Sequence, residues 1–187
     1  NGFRAPSIQG RDVAFFGGMT SARAETIISS EVGFKINRAD GSVLLNGAFF
    51  HYTIDDMQLT AIGGASNLVQ LLNAEKGEGT GMDVDASFLI TENFIVTAGL
   101  SFVETEIKDD TITVTPCPFG GCTVLNPPDG QTGNVFINGN PFPGAPDSTF
   151  NLTARYGIPT DSGEIFFFTD YAYQGKTNFF LYDSAEF

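Results

Sequence analysis

The chain has 187 residues, enough for one domain of ordinary size, and its 9 basic against 22 acidic side chains give a net charge of −13. Nucleic acid demands a basic footprint, so that class of partner is excluded. No uninterrupted apolar run approaches the ~20 residues of a membrane helix, whereas a membrane β-barrel, whose strands need only about ten residues of alternation, stays open.

The chain begins NGFRAPS, without a starting Met or a signal pattern. The first clean alternation is EVGFKI, residues 31–36, with Val32, Phe34 and Ile36 on one face and Glu31, Gly33 and Lys35 on the other. NRADG, residues 37–41, supplies Asn, Asp and Gly for a tight turn. A second strand is predicted from Ser42 to Ile54; its pattern is mixed and strongly apolar, and its facing is not fixed by the sequence. Residues 55–80 read as a long connection, Gly- and Asn-rich around GGASN, whose return through LVQLLNAEKGEG is a candidate for a strand that protrudes beyond the apolar zone.

The sharpest pattern follows. Met82, Val84, Ala86, Phe88 and Ile90 alternate with Asp83, Asp85, Ser87 and Leu89; after a turn at residues 91–93, Phe94, Val96, Ala98, Leu100 and Phe102 alternate with Ile95, Thr97, Gly99, Ser101 and Val103. Residues 108–147 then hold seven of the nine prolines and no long periodic segment. In a compact soluble domain a loop of that length would count against the assignment. Two further strands are predicted, STFNLTARYGI with Asn151, Thr153 and Arg155 on its polar side, and, after the turn PTDSGE, IFFFTDYAYQGK with Phe168, Asp170 and Ala172 on one side and Phe167, Thr169, Tyr171 and Tyr173 on the other.

Six strands are thus joined by short turns at one end and long connections at the other, the pattern of an antiparallel up-and-down transmembrane β-barrel wall. Phe94, Tyr156, Tyr171 and Tyr173 lie near strand ends, where an aromatic girdle belongs. A soluble sandwich explains the alternation equally well, and the unequal connections less well. Cys117 and Cys122 flank Pro118 and the Gly120-Gly121 pair, so the chain can fold back and join them in a local disulfide, which belongs to an oxidising compartment. One histidine, His51, makes a zinc site or a catalytic triad a poor reading; His51 belongs at a strand surface or rim. Asp83 with Asp85, and Glu104 with Glu106, share a face because period two in a strand forces it, which implies no general acid.

Several stretches resemble the barrel of TonB-dependent outer-membrane receptors. GFRAPS (residues 2–7) followed by SARAETIISSEVGFK (21–35) resembles the family's FRAPS…PE…E-x-G-x-K passage. LLNGAFFHYTIDDMQLTAI (44–62) resembles its next hairpin, with Tyr52, Asp56 and Gln58 matching a Tyr-x-x-x-Asp-x-Gln element. NAEKGEGTGMDVDASFLITENFIVTAGLSFVETEI (73–107) resembles the following strand pair, with Gly81 and Asp83 where Gly and Glu are usual, and PGAPDSTFNLTARYGIP (143–159) and DYAYQGKTNFF (170–180) continue the likeness in order.

The resemblance implies a partial barrel domain over residues 1–187, about six strands of a barrel of about 22, without the plug domain that fills the lumen, the segment that meets TonB and about three last strands. Edges near Glu25 and after Lys176 would then be unpaired, so the isolated chain is not expected to fold alone. The implied receptor sits among the lipids of a Gram-negative outer membrane and takes up a scarce nutrient, most commonly a ferric siderophore, with energy passed from TonB; it is not an enzyme and needs no cofactor. The implied lumen- and plug-facing residues are Glu31, Lys35, Asp83, Asp85, Thr97, Ser101, Asn151, Thr153, Arg155 and Asp170, with Arg155 paired to a neighbouring carboxylate. Ligand contact is expected from the connections 55–80 and 108–147, with Phe119, Phe136 and Phe142 as stacking candidates, although the acidity there, with Asp109, Asp110 and Asp129, suits solubility more than capture of an anionic complex. The alternative is a passive porin-like or adhesin-like barrel without TonB coupling.

Overall fold

The computed structural model describes residues 1–9, 20–64, 68–117 and 121–186, and the described residues hold strands and no helix. One antiparallel sheet dominates. Its strands are β1 (Gly2–Arg4), β4 (Glu25–Asn37), β5 (Val43–Gly63), β6 (Leu68–Thr91), β7 (Phe94–Lys108), β10 (Ser148–Thr160) and β11 (Gly163–Gln174), hydrogen-bonded in that order. Two small pairs accompany it, β2 (Ser7–Gln9) with β3 (Thr20–Ala22) and β8 (Thr113–Val114) with β9 (Val135–Phe136). The six predicted strands are the six long ones. The sequence reading saw only the second half of β4 and none of β1 to β3; β1 pairs with β4 from Gly2↔Ile27 to Arg4↔Glu25 and so covers the edge expected to be bare at Glu25.

The register carries one face across all six long strands. Lys35 lies opposite Asn46, Asn46 opposite Asp85, Asp85 opposite Gly99, Gly99 opposite Asn151 and Asn151 opposite Ala172. One step along, Phe34, Gly47, Val84, Leu100, Phe150 and Tyr173 form the matching rung on the other face. Opposed residues of an antiparallel pair point the same way, so alternation within each strand becomes a polar, small-residue face and an apolar face for the whole sheet. The facing of residues 42–54 is thereby settled: Leu44, Asn46, Ala48, Phe50 and Tyr52 share the polar side with Lys35.

Among the described residues no second layer covers the apolar face. Val32 is 71% exposed, Phe49 55% and Phe167 64%, and none of the belt residues from Met82 to Phe88 or from Phe94 to Phe102 belongs to the buried cluster. That cluster sits at the long-loop end and on the opposite face, where Ile107, Ile112, Val114, Val135, Ile137, Phe142, Leu181 and Tyr182 close over Met57, Leu59, Ala61 and Ala74.

The expected long connection at residues 55–80 is mostly strand. β5 runs on to Gly63 and β6 starts at Leu68, so the two protrude together well beyond β4. Glycine at every second position explains both the fold and the misreading. Gly79 and Gly81 lie opposite Tyr52 and Phe50, whose rings occupy the space that a Cβ would need, and Met57 and Phe142 do the same over Gly77. The phase of alternation shifts at Asp56, a non-glycine residue at φ 53°, which the ladder skips between Asp55↔Lys76 and Met57↔Ala74. Tyr52 and Ile54 below the shift and Met57 and Leu59 above it therefore reach the same cluster. A β-branched side chain at 79 must expel the Tyr52 ring, so Gly79→Val in the full-length protein is expected to cost about 1–3 kcal/mol, measured as a lower Tm; adding Tyr52→Ala to the same chain should recover part of that loss.

Candidate functional site

On the polar face the strands bring Glu31, Lys35, Asp83, Asp85, Thr97, Ser101, Asn151, Thr153, Arg155 and Asp170 to one side of one sheet. They do not form one constellation. Glu31, Lys35, Asp83 and Asp85 line a shallow groove of about 410 Å³ whose floor is Gly33 and Ala48, flanked by Asn46. At Gly99 the side-chain oxygens of Asp85 and Asn151 lean over the glycine from either side, where a larger residue would push them apart. Thr153 donates to Asp170 at 3.1 Å. Arg155, toward the short-turn end, makes a two-pronged pair with Glu164 at 2.5 and 3.3 Å and lies 4.9 Å over the Phe166 ring. No group of three or more metal-ligating side chains occurs among the described residues.

The apolar face has two borders. Near the short turns Phe94 packs edge-to-face on Tyr156 at 5.9 Å, with Phe167 opposite Tyr156 in the register. Toward the long loops the belt stops at the rung Ser30, His51, Thr80 and Glu104, where the His51 ring meets the Thr80 hydroxyl at 2.8 Å. Beyond it lies an ion-pair lattice, with Glu78 bound to Lys76 at 3.0 Å and Lys108 at 2.7 Å, and Lys108 to Glu106 at 3.5 Å. At about 3.4 Å per residue and a tilt of about 40°, the nine residues from Phe94 to Phe102 span roughly 20 Å between borders, close to the apolar band of a membrane barrel.

At the long-loop end, the described residues of 108–147 fold into a cap over the polar face. The Ile107 N–H donates to the Asn140 carbonyl at 2.9 Å, the Gly139 N–H to the Ile107 carbonyl at 2.8 Å, and the Phe142 N–H to the Thr105 hydroxyl at 2.9 Å. Asp109 is the hinge: its carboxylate accepts from the N–H groups of Glu75, Thr111 and Ile112 and from the Thr111 hydroxyl at 2.7–3.1 Å. Of the stacking candidates, Phe142 is buried under the cap against Tyr52, which removes it from ligand contact; Phe136 is half-buried in β9; Phe119 lies outside the described residues. Cys117 and Cys122 are joined in a disulfide.

Gln58 is a hub that no alternation in the sequence marks. Its side chain accepts from the Ser7 hydroxyl and donates to the Ala5 and Arg23 carbonyls, while its own N–H donates to Glu25 at 2.7 Å. Arg23 also pairs with Asp56, and Asn73 with the Arg23 backbone. These bonds fasten the FRAPS stretch and β3 to the protruding β5–β6 hairpin, and the only advance sign was the Tyr52, Asp56, Gln58 spacing.

The sequence profile described as TonB dependent receptor-like, beta-barrel matches residues 1–186, and the chain belongs to that family of TonB-dependent receptor β-barrels. Among solved structures it is similar to the ferric yersiniabactin uptake receptor FyuA from Yersinia pestis, at 18% identity and TM-score 0.59 over 88% of this chain and 21% of that one. It is also similar to the alcaligin outer membrane receptor FauA from Bordetella pertussis (17%, TM-score 0.49, 83% and 23%) and to the FrpB iron transporter from Neisseria meningitidis (18%, TM-score 0.47, 79% and 19%). The chain spans about a fifth of the length of these proteins. No curated protein matches its sequence.

Burial works to raise the Asp109 carboxyl, and the three backbone donors with Thr111 outweigh it and hold it below the usual carboxylate range. Asp129 is lowered by Thr132 and the Gln131 N–H, and Glu186 by the Thr123 N–H. Groups with depressed folded values contribute stability that is full above their unfolded values, 3.8 for Asp and 4.5 for Glu, and is lost as pH falls through the folded ones. The cap should accordingly loosen below about pH 4 while the sheet persists, seen as peptic cleavage confined to residues 108–147; Asp109→Asn should loosen it already at neutral pH, read with a broad-specificity protease.

Proposed function

We propose that this chain is part of the wall of an outer-membrane receptor in a Gram-negative bacterium, with the apolar face against lipid, the polar face lining the lumen and the cap on the extracellular side. The observation that carries the reading is the single uncovered sheet with two unlike faces, bordered by aromatic rings at one end and a polar rung at the other. Family membership and the fold shared with a siderophore receptor support it. In that receptor Glu31, Lys35, Asp83, Asp85, Asn151, Arg155 and Asp170 face the plug domain, TonB supplies the energy through the plug, and the cargo is a scarce nutrient, a ferric siderophore first among candidates. Residues 1–187 are then a stretch of its barrel domain. The wall does no reaction chemistry; it is a rigid frame carrying loops.

The test is uptake by cells making the full-length receptor, offered radiolabelled iron on hydroxamate, catecholate and carboxylate siderophores. One of these should accumulate against its gradient, and a protonophore or loss of TonB should stop it; uptake indifferent to both would leave a passive channel instead. Leu100→Arg, placing a cation at mid-height of the lipid face, should cost about 2–4 kcal/mol of folding free energy in a bilayer. Thr97→Ala, on the polar face of the same strand, should change folding far less.

A further inference from the structure

A strap lies along the rim of the cap, paired to the arm that follows the disulfide. Residues 183–186 run antiparallel to 123–125: the Leu125 N–H donates to the Asp183 carbonyl and the Ala185 N–H to the Thr123 carbonyl, each at 3.0 Å, and Val124 bridges Ser184. Glu186 closes the pairing, taking the Thr123 N–H on both carboxylate oxygens at 2.9 and 3.1 Å. On the other side of the disulfide, residues 113–116 are fixed independently. β8 pairs with β9, the Thr115 hydroxyl donates to Asn134 at 2.8 Å, and the Pro116 carbonyl accepts the Gly64 N–H at the tip of the β5–β6 hairpin. Cys117 is buried and Cys122 half-buried against the apolar cluster.

We propose that the Cys117–Cys122 disulfide is a redox-sensitive clasp for this strap. Oxidised, it ties the arm at 122–125, and with it residues 183–186, to the arm anchored on the β5–β6 tip. Reduction by a dithiol opens it: a thiolate of the reagent attacks one sulfur, the S–S bond takes up two electrons and two protons, and the reagent leaves as its cyclic disulfide. The strap then keeps its inner attachments, Leu181 and Tyr182 in the cluster, the Asn140 amide on the Leu181 carbonyl at 2.7 Å and the Asp183 N–H on Asn126 at 2.5 Å, while its outer part at 184–186 loses the tie to the anchored arm. The β5–β6 and β6–β7 ladders do not depend on the clasp. The rim at the long-loop end, which an incoming solute must pass, is thus tight in oxidising and loose in reducing surroundings; only the direction that the rim faces rests on the function proposed above.

Hydrogen exchange of the full-length receptor in detergent, before and after dithiothreitol, tests this. Peptides covering 121–126 and 183–186 should exchange about tenfold faster on reduction while residues 94–104 keep their protection. Cys117→Ser with Cys122→Ser should exchange fast from the outset and ignore the reagent. Unchanged exchange in 183–186 after verified reduction, or equal loosening of 94–104, would overturn the clasp, and either result is independent of whether the receptor transports anything. Reduction of the unmodified chain decides the matter even if the double variant fails to insert.

Discussion

Everything in this molecule hangs on backbone hydrogen bonding between strands that keep a constant register. A strand at membrane depth has no water to satisfy its N–H and C=O groups, so each must find a partner in the neighbouring strand. Once that pairing is fixed, side chains have only two directions to point, and a slip of one residue would invert them all. The ladders from β4 to β11 hold register through the whole belt, with one irregularity between Leu89 and Thr91 at the short-turn rim. Two-faced chemistry is therefore a consequence of pairing, and no packed interior is needed beneath the belt.

This is why the middle of the chain was legible and its long-loop end was not. From Asp83 to Phe102 each side chain faces a uniform medium, so polarity alternates and the pattern can be read directly. On both sides of Asp56 the surroundings change with every residue: Leu59 meets the cap, Gln58 on the other side meets Ala5 and Arg23, and Gly77 and Gly79 make room for Met57 and Tyr52. Alternating glycines read as a loop because their purpose lies in the rings of the neighbouring strand. Phe142 looked like a ligand contact for the complementary reason: aromatic in a polar loop, it is the anchor that holds the loop down. Alternation puts the polar-face residues on one side of the sheet, and Arg155 pairs with Glu164 just past the turn.

The long-loop end solves a different problem from the wall. A loop of this length would lose a great deal of entropy on ordering, and the chain offsets it with a small apolar cluster of its own, seated on the polar face just beyond the point where that face ceases to be polar. The facing shift at Asp56 makes this compatible with the belt, because it turns Met57, Leu59 and Ala61 toward the cap without disturbing the pairing below. Polar hubs then fix the pieces laterally, Gln58 for the N-terminal stretch, Asp109 for the start of the loop, and Asn140 with Asn126 for its return.

Charge follows the same partition. Of a net −13, no charge falls on the apolar face between Met82 and Phe88, Phe94 and Phe102, or Phe150 and Tyr156. A charge at the lipid midplane costs a few kcal/mol, and one facing an aqueous space costs almost nothing. Glu31, Asp83, Asp85 and Asp170 accordingly sit on the polar face, and most of the other described acids lie in turns or beyond the borders, where Lys108 binds Glu78 across the strands while Lys76–Glu78 and Lys108–Glu106 pair along them. Like charges oppose each other on those two rungs, Lys76 to Lys108 and Glu78 to Glu106, so neither rung is favourable alone. The Lys108–Glu78 contact across the strands and the pairs along each strand offset that repulsion, and together they place a polar, self-compensated collar where the wall leaves the apolar zone.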